Sequence, residues 1–193
     1  MSNERTPTRS GTALVGTTLV ALFAALIAAG TFIAFPLPVS PVPIVLQNLF
    51  VVLAGLVLGP ALGAAAVAVY LLVGAVGAPV FAGATGGFAH FFGPTGGYLA
   101  GYLAAALVAG LVAGKPRPEV KTPILALAAA AVLAFLAVYV PGVLRLKAVL
   151  GADWSKALAA GFLPFIAGDL VKAAIAVAVA PRLRRLAADH LHA

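Results

Sequence analysis

The run TALVGTTLVALFAALIAAGTFIAF, residues 12–35, contains no charged side chain. About 20 consecutive apolar residues are enough for a helix to cross the hydrocarbon core of a bilayer, so this run predicts a membrane span. Arg5 and Arg9 precede it, as the basic residues of a secretory signal peptide would. The run is longer than the roughly 7–15 apolar residues of such a peptide, and no small-residue cleavage site leads into more polar sequence. We therefore expect a first transmembrane helix.

The composition of the whole chain agrees with a membrane protein. Of its 193 residues, 63% are hydrophobic and 9% are charged, and the mean hydropathy is +1.14. Soluble domains have apolar and charged shares of about a half and about a quarter. The net charge of +7 is spread through tails and loops without a dense basic patch, which argues against nucleic-acid binding. Cysteine is absent, so thiolate metal sites and cysteine nucleophiles are excluded.

Five further hydrophobic segments follow the first. They cover residues 44–58, 60–76, 98–113, 123–140 and 165–185. Gly59–Pro60 is predicted to be the turn between the first two of these segments. We predict an all-α integral membrane protein with a bundle of six transmembrane helices. The membrane domain is expected at residues 12–186, between an N-terminal tail at 1–11 and a C-terminal tail at 187–193.

Three connections between these segments are unusual. The proline cluster FPLPVSPVP, residues 35–43, should break the helix because proline has no N–H to donate. The stretch at residues 74–97 is rich in glycine and contains two prolines, which predicts a non-helical backbone. At membrane depth such a backbone is tolerated only where it is buried in protein or lines a cavity. We expect it to be a re-entrant or capping loop between the third and fourth helices. From Pro141 to Lys156 the chain is polar enough to leave the membrane.

The distribution of basic residues predicts the orientation. If the N-terminus is cytoplasmic, eight lie inside: Arg5, Arg9, Lys115, Arg117, Lys121, Arg182, Arg184 and Arg185. Arg145, Lys147 and Lys156 then lie outside. This excess on the cytoplasmic side follows the positive-inside rule for an even number of spans. Both tails are expected in the cytoplasm, and the three unusual connections at the external face, where we expect the mouth of a pocket.

Two ionisable residues interrupt the last apolar segment. Asp169 and Lys172 lie three residues apart in FLPFIAGDLVKAAIAVAV, residues 162–179, and so share one side of a helix. An ionisable side chain at membrane depth costs roughly 2.5–3.5 kcal/mol on insertion, which favours a functional polar site facing the bundle interior. Pro164 and Gly168 place Asp169 in the first helical turn, where the helix dipole stabilises a carboxylate. A structural ion pair is the alternative.

The sequence offers little for catalysis. Of the five acids in the chain, Glu4, Glu119 and Asp189 lie in tails or linkers, so paired carboxylates for acid–base chemistry or a metal are lacking. His90 has no second metal ligand near it and is interpreted as a pocket-lining or interfacial residue. A phosphate-binding G-x-x-x-x-G-K-[ST] loop is also absent, so ATP hydrolysis would need a partner. We predict that the chain is not an enzyme, although an intramembrane enzyme or scaffold using Asp169 and Lys172 remains an alternative.

Four motifs resemble those of one family. They are PVPIVLQNLFVVLAGLVLGPALGA (41–64), YLLVGAVGAPVFAG (70–83), FGPTGGYLAGY (92–102) and LPFIAGDLVKA (163–173). In this order and spacing they are similar to the BioY family, the biotin-specific substrate-binding (S) components of energy-coupling factor (ECF) vitamin transporters. The resemblance covers about residues 12–186.

The resemblance implies high-affinity capture of biotin at the external face and its uptake. The implied partners are an ECF transmembrane coupling subunit and two cytoplasmic ATPases, and no cofactor is implied. Asp169 and Lys172 match the family's GDLVK motif and are implied to contact biotin. Family members can also carry an Asn after the third helix and an Arg near the fourth. This chain has neither at the matching positions, where Thr85 and Tyr98 are candidate neutral substitutes. Another vitamin, such as lipoate or riboflavin, is an alternative ligand.

Two weaker features complete the prediction. Gln47 is either a ligand contact or a backbone cap for the proline cluster, and Phe81 is a candidate wall for an apolar ring. Ala21, Ala25 and Ala29 recur every four residues, a spacing of small side chains that lets helices approach closely. This stripe either packs within the bundle or, as the resemblance implies, docks on the coupling subunit.

Overall fold

The computed structural model describes residues 9–191, with side chains from residue 12 onward. The expected tail residues 1–8 and 192–193 therefore lie outside the described part. The helices are α1 (Arg9–Ala29), α2 (Gln47–Ala75), α3 (Gly96–Ala113), α4 (Ile124–Leu150), α5 (Trp154–Gly161) and α6 (Ile166–Leu191). Two strands, β1 (Ala34–Leu37) and β2 (Ser40–Val45), lie between α1 and α2. Five helices in the described range are long and apolar enough to cross a membrane.

The long helix α2 consists of two arms joined at Gly59. Gly59 has φ 80° and ψ −179°, a backbone conformation that is essentially restricted to glycine. Along a straight helix Gln47 and Tyr70 would lie about 35 Å apart, yet Gln47 Nε2 is 2.7 Å from the Tyr70 hydroxyl. The arms, residues 47–58 and 60–75, are therefore antiparallel. The turn that the sequence predicted at Gly59–Pro60 is present.

The proline cluster forms a small antiparallel sheet, which the all-α prediction missed. β1 pairs with β2 through Ala34 and Val45, Phe35 and Ile44, and Leu37 and Ser40. The prolines end the helix as predicted, because they cannot donate to a helical hydrogen bond. They are compatible with this sheet because each strand of a two-stranded sheet has one edge that needs no N–H donor.

The predicted end of the helix near Val140 was wrong. α4 continues through Pro141 to Leu150 and stops at Gly151, which adopts the left-handed conformation of a helix C-cap. A proline is tolerated inside a membrane helix when neighbouring groups satisfy the freed backbone. The polar stretch that follows forms α5, whose first turn is capped by Asp153 accepting from the Lys156 amide at 2.8 Å. Similarly, α6 extends to Leu191, past the expected start of the tail at residue 187.

The helices pack through small side chains. α3 lies between α2 and α4, and α6 packs against α2 and α4. Ala105, Ala106 and Ala109 on α3 are completely buried, and a β-carbon at Gly101 would overlap the backbone of Val138 on α4. In lipid, where burial of apolar surface adds little, such close approach provides the attraction between helices. This packing brings the beginning of α2, the middle of α4 and the first turns of α6 together at one end of the bundle.

Candidate functional site

A cluster of buried polar side chains lies where the first turns of α6 meet the beginning of α2. Asp169 lies in the first turn of α6, as predicted, and forms an ion pair with Lys172 at 2.9 Å. Each residue is 7% exposed. Removing both charges from water is costly, so the pair is stable only with close geometry and further hydrogen bonds.

Lys172 uses all three of its ammonium donors within the protein. Its Nζ lies 2.7 Å from the carbonyl oxygen of Val45, 2.9 Å from Asn48 Oδ1 and 2.9 Å from Asp169 Oδ1. An ammonium group has three N–H donors, so these acceptors satisfy it. A ligand that bonds to Lys172 therefore has to replace one of them or share its donor.

Asp169 retains acceptor capacity. Its Oδ1 accepts from Lys172 and from Asn48 Nδ2 at 2.9 Å, and its Oδ2 accepts from the Tyr139 hydroxyl on α4. An ionised carboxylate has about four lone-pair positions, of which these contacts use three. Asp169 is therefore the member of the pair that can accept a hydrogen bond from a ligand without losing a protein partner.

Aromatic side chains fix the position of Tyr139. Its ring meets that of Phe162 edge to face, with centroids 4.8 Å apart. It also meets the Tyr98 ring at 6.5 Å, and the Tyr98 hydroxyl donates to the carbonyl of Gly161 at 2.7 Å. Edge-to-face contacts of this kind favour one ring orientation. The hydroxyl of Tyr139 is thus directed at Asp169 by residues on α3 and around the end of α5.

A cavity of about 40 Å³ lies against this cluster. It is lined by Val42, Pro43, Val45, Gln47, Asn48, Phe81, Ala82, Thr95, Tyr98, Leu99, Tyr102, Val138, Tyr139, Phe165, Asp169 and Lys172. This volume holds only a few water molecules. The lining combines apolar and aromatic walls with one charged, hydrogen-bonded corner, which is the usual composition of a site for a small organic molecule.

The glycine-rich loop between α2 and α3 covers one side of the cavity. The Val80 carbonyl accepts from Thr31 Oγ1 at 2.5 Å and from Gln47 Nε2 at 3.1 Å. The next residue, Phe81, is buried and meets the rings of Tyr70 and His90 edge to face. These contacts hold the loop onto the bundle, together with the hydrogen bond that Arg145 on α4 donates to the Phe92 carbonyl and the one that the Gly87 amide donates to the Gly74 carbonyl at 2.7 Å.

The structure brings together five of the six predicted binding residues. Asp169, Lys172, Tyr98, Phe81 and Gln47 all line the cavity. The sixth, Thr85, is not among its lining residues; its hydroxyl donates to the Ala82 carbonyl at 3.0 Å inside the loop. Whether any of them contacts a ligand remains a prediction.

The remaining candidates lie elsewhere. His90 packs on Phe81 in the loop, and the described residues contain no group of three or more His, Cys, Asp or Glu that could hold a metal. Ala21, Ala25 and Ala29 are exposed along one side of α1. Among residues 9–191, the stripe is therefore not used for packing.

Sequence reasoning missed Asn48 and Tyr139 as parts of the polar cluster. Asn48 and its neighbour Gln47 are the only amide side chains within the apolar segments, and this was a usable signal. Tyr139 had no comparable signal, because a tyrosine near the end of a predicted membrane helix is ordinarily an interfacial residue. The cluster can bind and orient a ligand with N–H donors.

The comparisons with known proteins agree with one another. A family model described as the BioY family matches residues 3–189. A probable biotin transporter BioY of Pyrococcus horikoshii is 44% identical over 166 residues, which are 86% of this chain and 94% of that protein. A biotin transporter BioY of Thermotoga maritima is 42% identical over 165 residues, 86% and 93% of the two chains. The crystal structure of the S-component for biotin from an ECF-type ABC transporter superposes with a TM-score of 0.82 at 28% identity, covering 93% of this chain and 95% of that one.

Proposed function

The chain belongs to the BioY family, and we propose that it captures biotin for uptake as the substrate-binding subunit of an ECF-type transporter. The relatives above are named as biotin transporters, and the solved structure is the S-component for biotin of such a transporter. The resemblance that the motifs indicated is thereby confirmed. With several apolar helices and transporter relatives, the chain is a multi-pass membrane protein.

The buried cluster of Asp169, Lys172, Asn48 and Tyr139 is the observation that carries this proposal. A structural ion pair needs only its two members and enough hydrogen bonds to satisfy them. Here the pair lies against a cavity and leaves carboxylate acceptor capacity there. Ionisable residues in such a position mark substrate sites in membrane proteins.

We assign Asp169 to the ureido N–H groups of biotin. The unused lone pair of its carboxylate can accept a charge-assisted hydrogen bond from such an N–H group. Lys172 then donates to the ureido oxygen or to the carboxylate after giving up one of its present acceptors. Tyr98, Phe81 and Gln47 supply walls and neutral hydrogen-bonding groups, and Thr85 acts through the loop. Biotin is the only ligand in this proposal, and no cofactor takes part.

Binding requires the cavity to widen. Its volume of about 40 Å³ is too small for biotin, which has a bicyclic ring and a side chain. The glycine-rich loop covers one side of the cavity through its contacts at Val80 and Phe81. We propose that this loop is the capping element that moves aside for biotin and returns over it.

We propose six membrane crossings, counting the two arms of α2 separately. An even number of crossings puts both termini on one side, and the eight basic residues near the tails and the α3–α4 linker make that side the cytoplasm. The cavity then opens at the external face, because it lies at the end of the bundle opposite Arg184 and the α3–α4 linker. This orientation suits capture of an external vitamin.

The stripe of Ala21, Ala25 and Ala29 is proposed to dock on the transmembrane coupling subunit. All three are exposed on α1, and small side chains permit close helix contact in a membrane. Two cytoplasmic ATPases bound to that subunit would supply the energy, since this sequence contains no phosphate-binding loop for ATP.

The test is equilibrium binding of labelled biotin to the protein purified in detergent. We expect nanomolar affinity for the wild type, with lipoate and riboflavin failing to compete. Lys172→Ala should weaken binding about 10- to 150-fold, the value of one hydrogen bond to a charged group. Lys156→Ala, which removes an exposed lysine, is the matched control. A folded wild type that binds no biotin, or binds riboflavin or lipoate equally well, would refute the assignment.

A further inference from the structure

A second polar cavity lies at the other end of α6. It has a volume of about 180 Å³ and is lined by Arg117, Val120, Lys121, Thr122, Pro181, Arg184 and Arg185. Arg184 follows Asp169 on α6 by roughly 22 Å along the helix axis, at 1.5 Å per residue. This basic cavity is therefore separate from the biotin site.

Arg184 is held rigidly at the base of the basic cavity. It is 6% exposed, and its Nη1 donates to the carbonyl of Leu56. Its Nη2 lies 3.0 Å from the carbonyl oxygen of Ala113 and 3.1 Å from that of Gly114. Within residues 9–191, its Nε–H has no acceptor. Carbonyl oxygens at helix C-termini carry only a partial negative charge, so the guanidinium keeps most of its positive charge.

Among residues 9–191, no acidic side chain lines the basic cavity. Four of its seven lining residues are cationic and none is Asp or Glu. In the part of the chain that the structure describes, the single ion pair joins Lys172 to Asp169. Like charges gathered in one concave site repel each other unless an anion joins them. Arginine in particular presents paired N–H donors that match the oxygens of a phosphate.

From this arrangement we propose that the basic cavity binds a phosphate group carried by an anionic phospholipid. Apolar surface begins beside the cations: Val120, Ile124 and Leu125 are 57%, 65% and 79% exposed. A phosphate in the cavity would leave acyl chains lying along this surface at the start of α4. Basic pockets between membrane helices recognise lipid headgroups in this way. Free phosphate shares the headgroup chemistry but makes no use of the apolar surface.

The experiment uses the full chain purified in a neutral detergent. Short-chain phosphatidylglycerol, phosphatidylcholine and inorganic phosphate are titrated separately, and bound ligand is counted by native mass spectrometry. Lys121→Gln/Arg185→Gln removes two cations of the basic cavity. Lys115→Gln/Arg182→Gln removes two exposed cations at the same end that do not line it, so the net charge changes equally.

We expect the wild type to prefer phosphatidylglycerol over phosphatidylcholine. The Lys121→Gln/Arg185→Gln variant should bind phosphatidylglycerol about 30-fold more weakly, from about one kcal/mol for each cation near an anionic lipid. The Lys115→Gln/Arg182→Gln control should stay within about threefold of the wild type. Inorganic phosphate that displaces the lipid at a similar affinity would make free phosphate the ligand and would still support a phosphate site.

Two results would overturn this proposal. If both double variants lose the same affinity for phosphatidylglycerol, binding depends only on the net charge and not on the basic cavity. A wild type that does not prefer phosphatidylglycerol and does not bind phosphate would also exclude the site. If the Lys121→Gln/Arg185→Gln variant then assembles more weakly with a coupling subunit, the cations bind acidic side chains of that protein partner. Biotin affinity, measured on the same samples, is expected to be unchanged in both variants, so failure here is distinguishable from failure of the biotin assignment.

Discussion

Replacing Asp169 with asparagine separates the two roles that this carboxylate can have, as a partner of Lys172 and as an acceptor for biotin. The substitution keeps the shape of the side chain. The asparagine Oδ1 can still accept from Lys172 and from Asn48 Nδ2, which both contact Asp169 Oδ1 at 2.9 Å. The new amide group would lie beside the Tyr139 hydroxyl, which can rotate to accept from it. We therefore expect Asp169→Asn to fold.

The cost of this substitution has two parts. Stability falls because Lys172 remains buried, at 7% exposed, without a negative partner. Removing one member of a buried pair costs about 3–5 kcal/mol, and the remaining hydrogen bonds should hold the loss toward the lower value. Biotin binding falls separately, because an N–H of the ligand loses a charged acceptor. That bond is worth about 1.5–3 kcal/mol, or roughly 10- to 150-fold in affinity.

A double variant isolates the ligand contact. Asp169→Asn/Lys172→Met removes both charges, and replacing a buried ion pair with neutral groups is often neutral or stabilising. We expect the double variant to recover most of the lost thermal stability in detergent while its biotin affinity stays at least tenfold below wild type. Asp189→Asn, an exposed carboxylate on the same helix, should change neither. If the folded double variant binds biotin within about threefold of the wild type, the pair is structural and Asp169 is not a biotin acceptor.

Three further outcomes are expected. Tyr139→Phe removes the hydroxyl that donates to the buried carboxylate and should lower the free energy of unfolding by about 1.5–3 kcal/mol. The control is Tyr102→Phe, because the Tyr102 hydroxyl has no hydrogen-bond partner among residues 9–191; this variant should keep the wild-type stability. Equal losses of stability in thermal melts of the two variants would contradict the prediction. Gly59→Ala imposes φ 80° on alanine and should cost about 1–3 kcal/mol; an unchanged melting temperature would argue against the turn. Ala25→Trp should reduce co-purification of a coupling subunit without changing biotin affinity, whereas Ala129→Trp, at an exposed site on α4, should leave both intact. Normal co-purification of Ala25→Trp would exclude this docking surface.

The arms of α2 show which elements the sequence predicts well. Long apolar runs identify membrane helices because the bilayer imposes their length and composition locally. The turn at Gly59–Pro60 was also readable, since both residues have strong backbone preferences of their own. The proline cluster was readable only as a helix break, because the pairing of β1 with β2 depends on contacts between separate segments.

Pro141 shows where local reasoning misleads. The sequence predicted a helix end there, yet α4 continues to Leu150. The cost of a proline inside a helix depends on which neighbouring groups compensate the backbone, and those neighbours come from other parts of the chain. The same limit applies to Tyr139, whose hydroxyl is directed at Asp169 by rings on α3 and near α5.

The amino-acid sequence was sufficient to predict that the chain is a membrane protein, where its principal helices lie and that Asp169 and Lys172 belong to a buried site. Each of these follows from the cost of placing particular side chains in lipid, which a local run of residues expresses. The packing of the chain was needed to see that Asn48 and Tyr139 complete the cluster. It also showed that all donors of Lys172 are used while Asp169 keeps a free acceptor position, and that three other cations surround Arg184. These features arise from side chains far apart in sequence, and their energies depend on distances of about 3 Å that only packing sets.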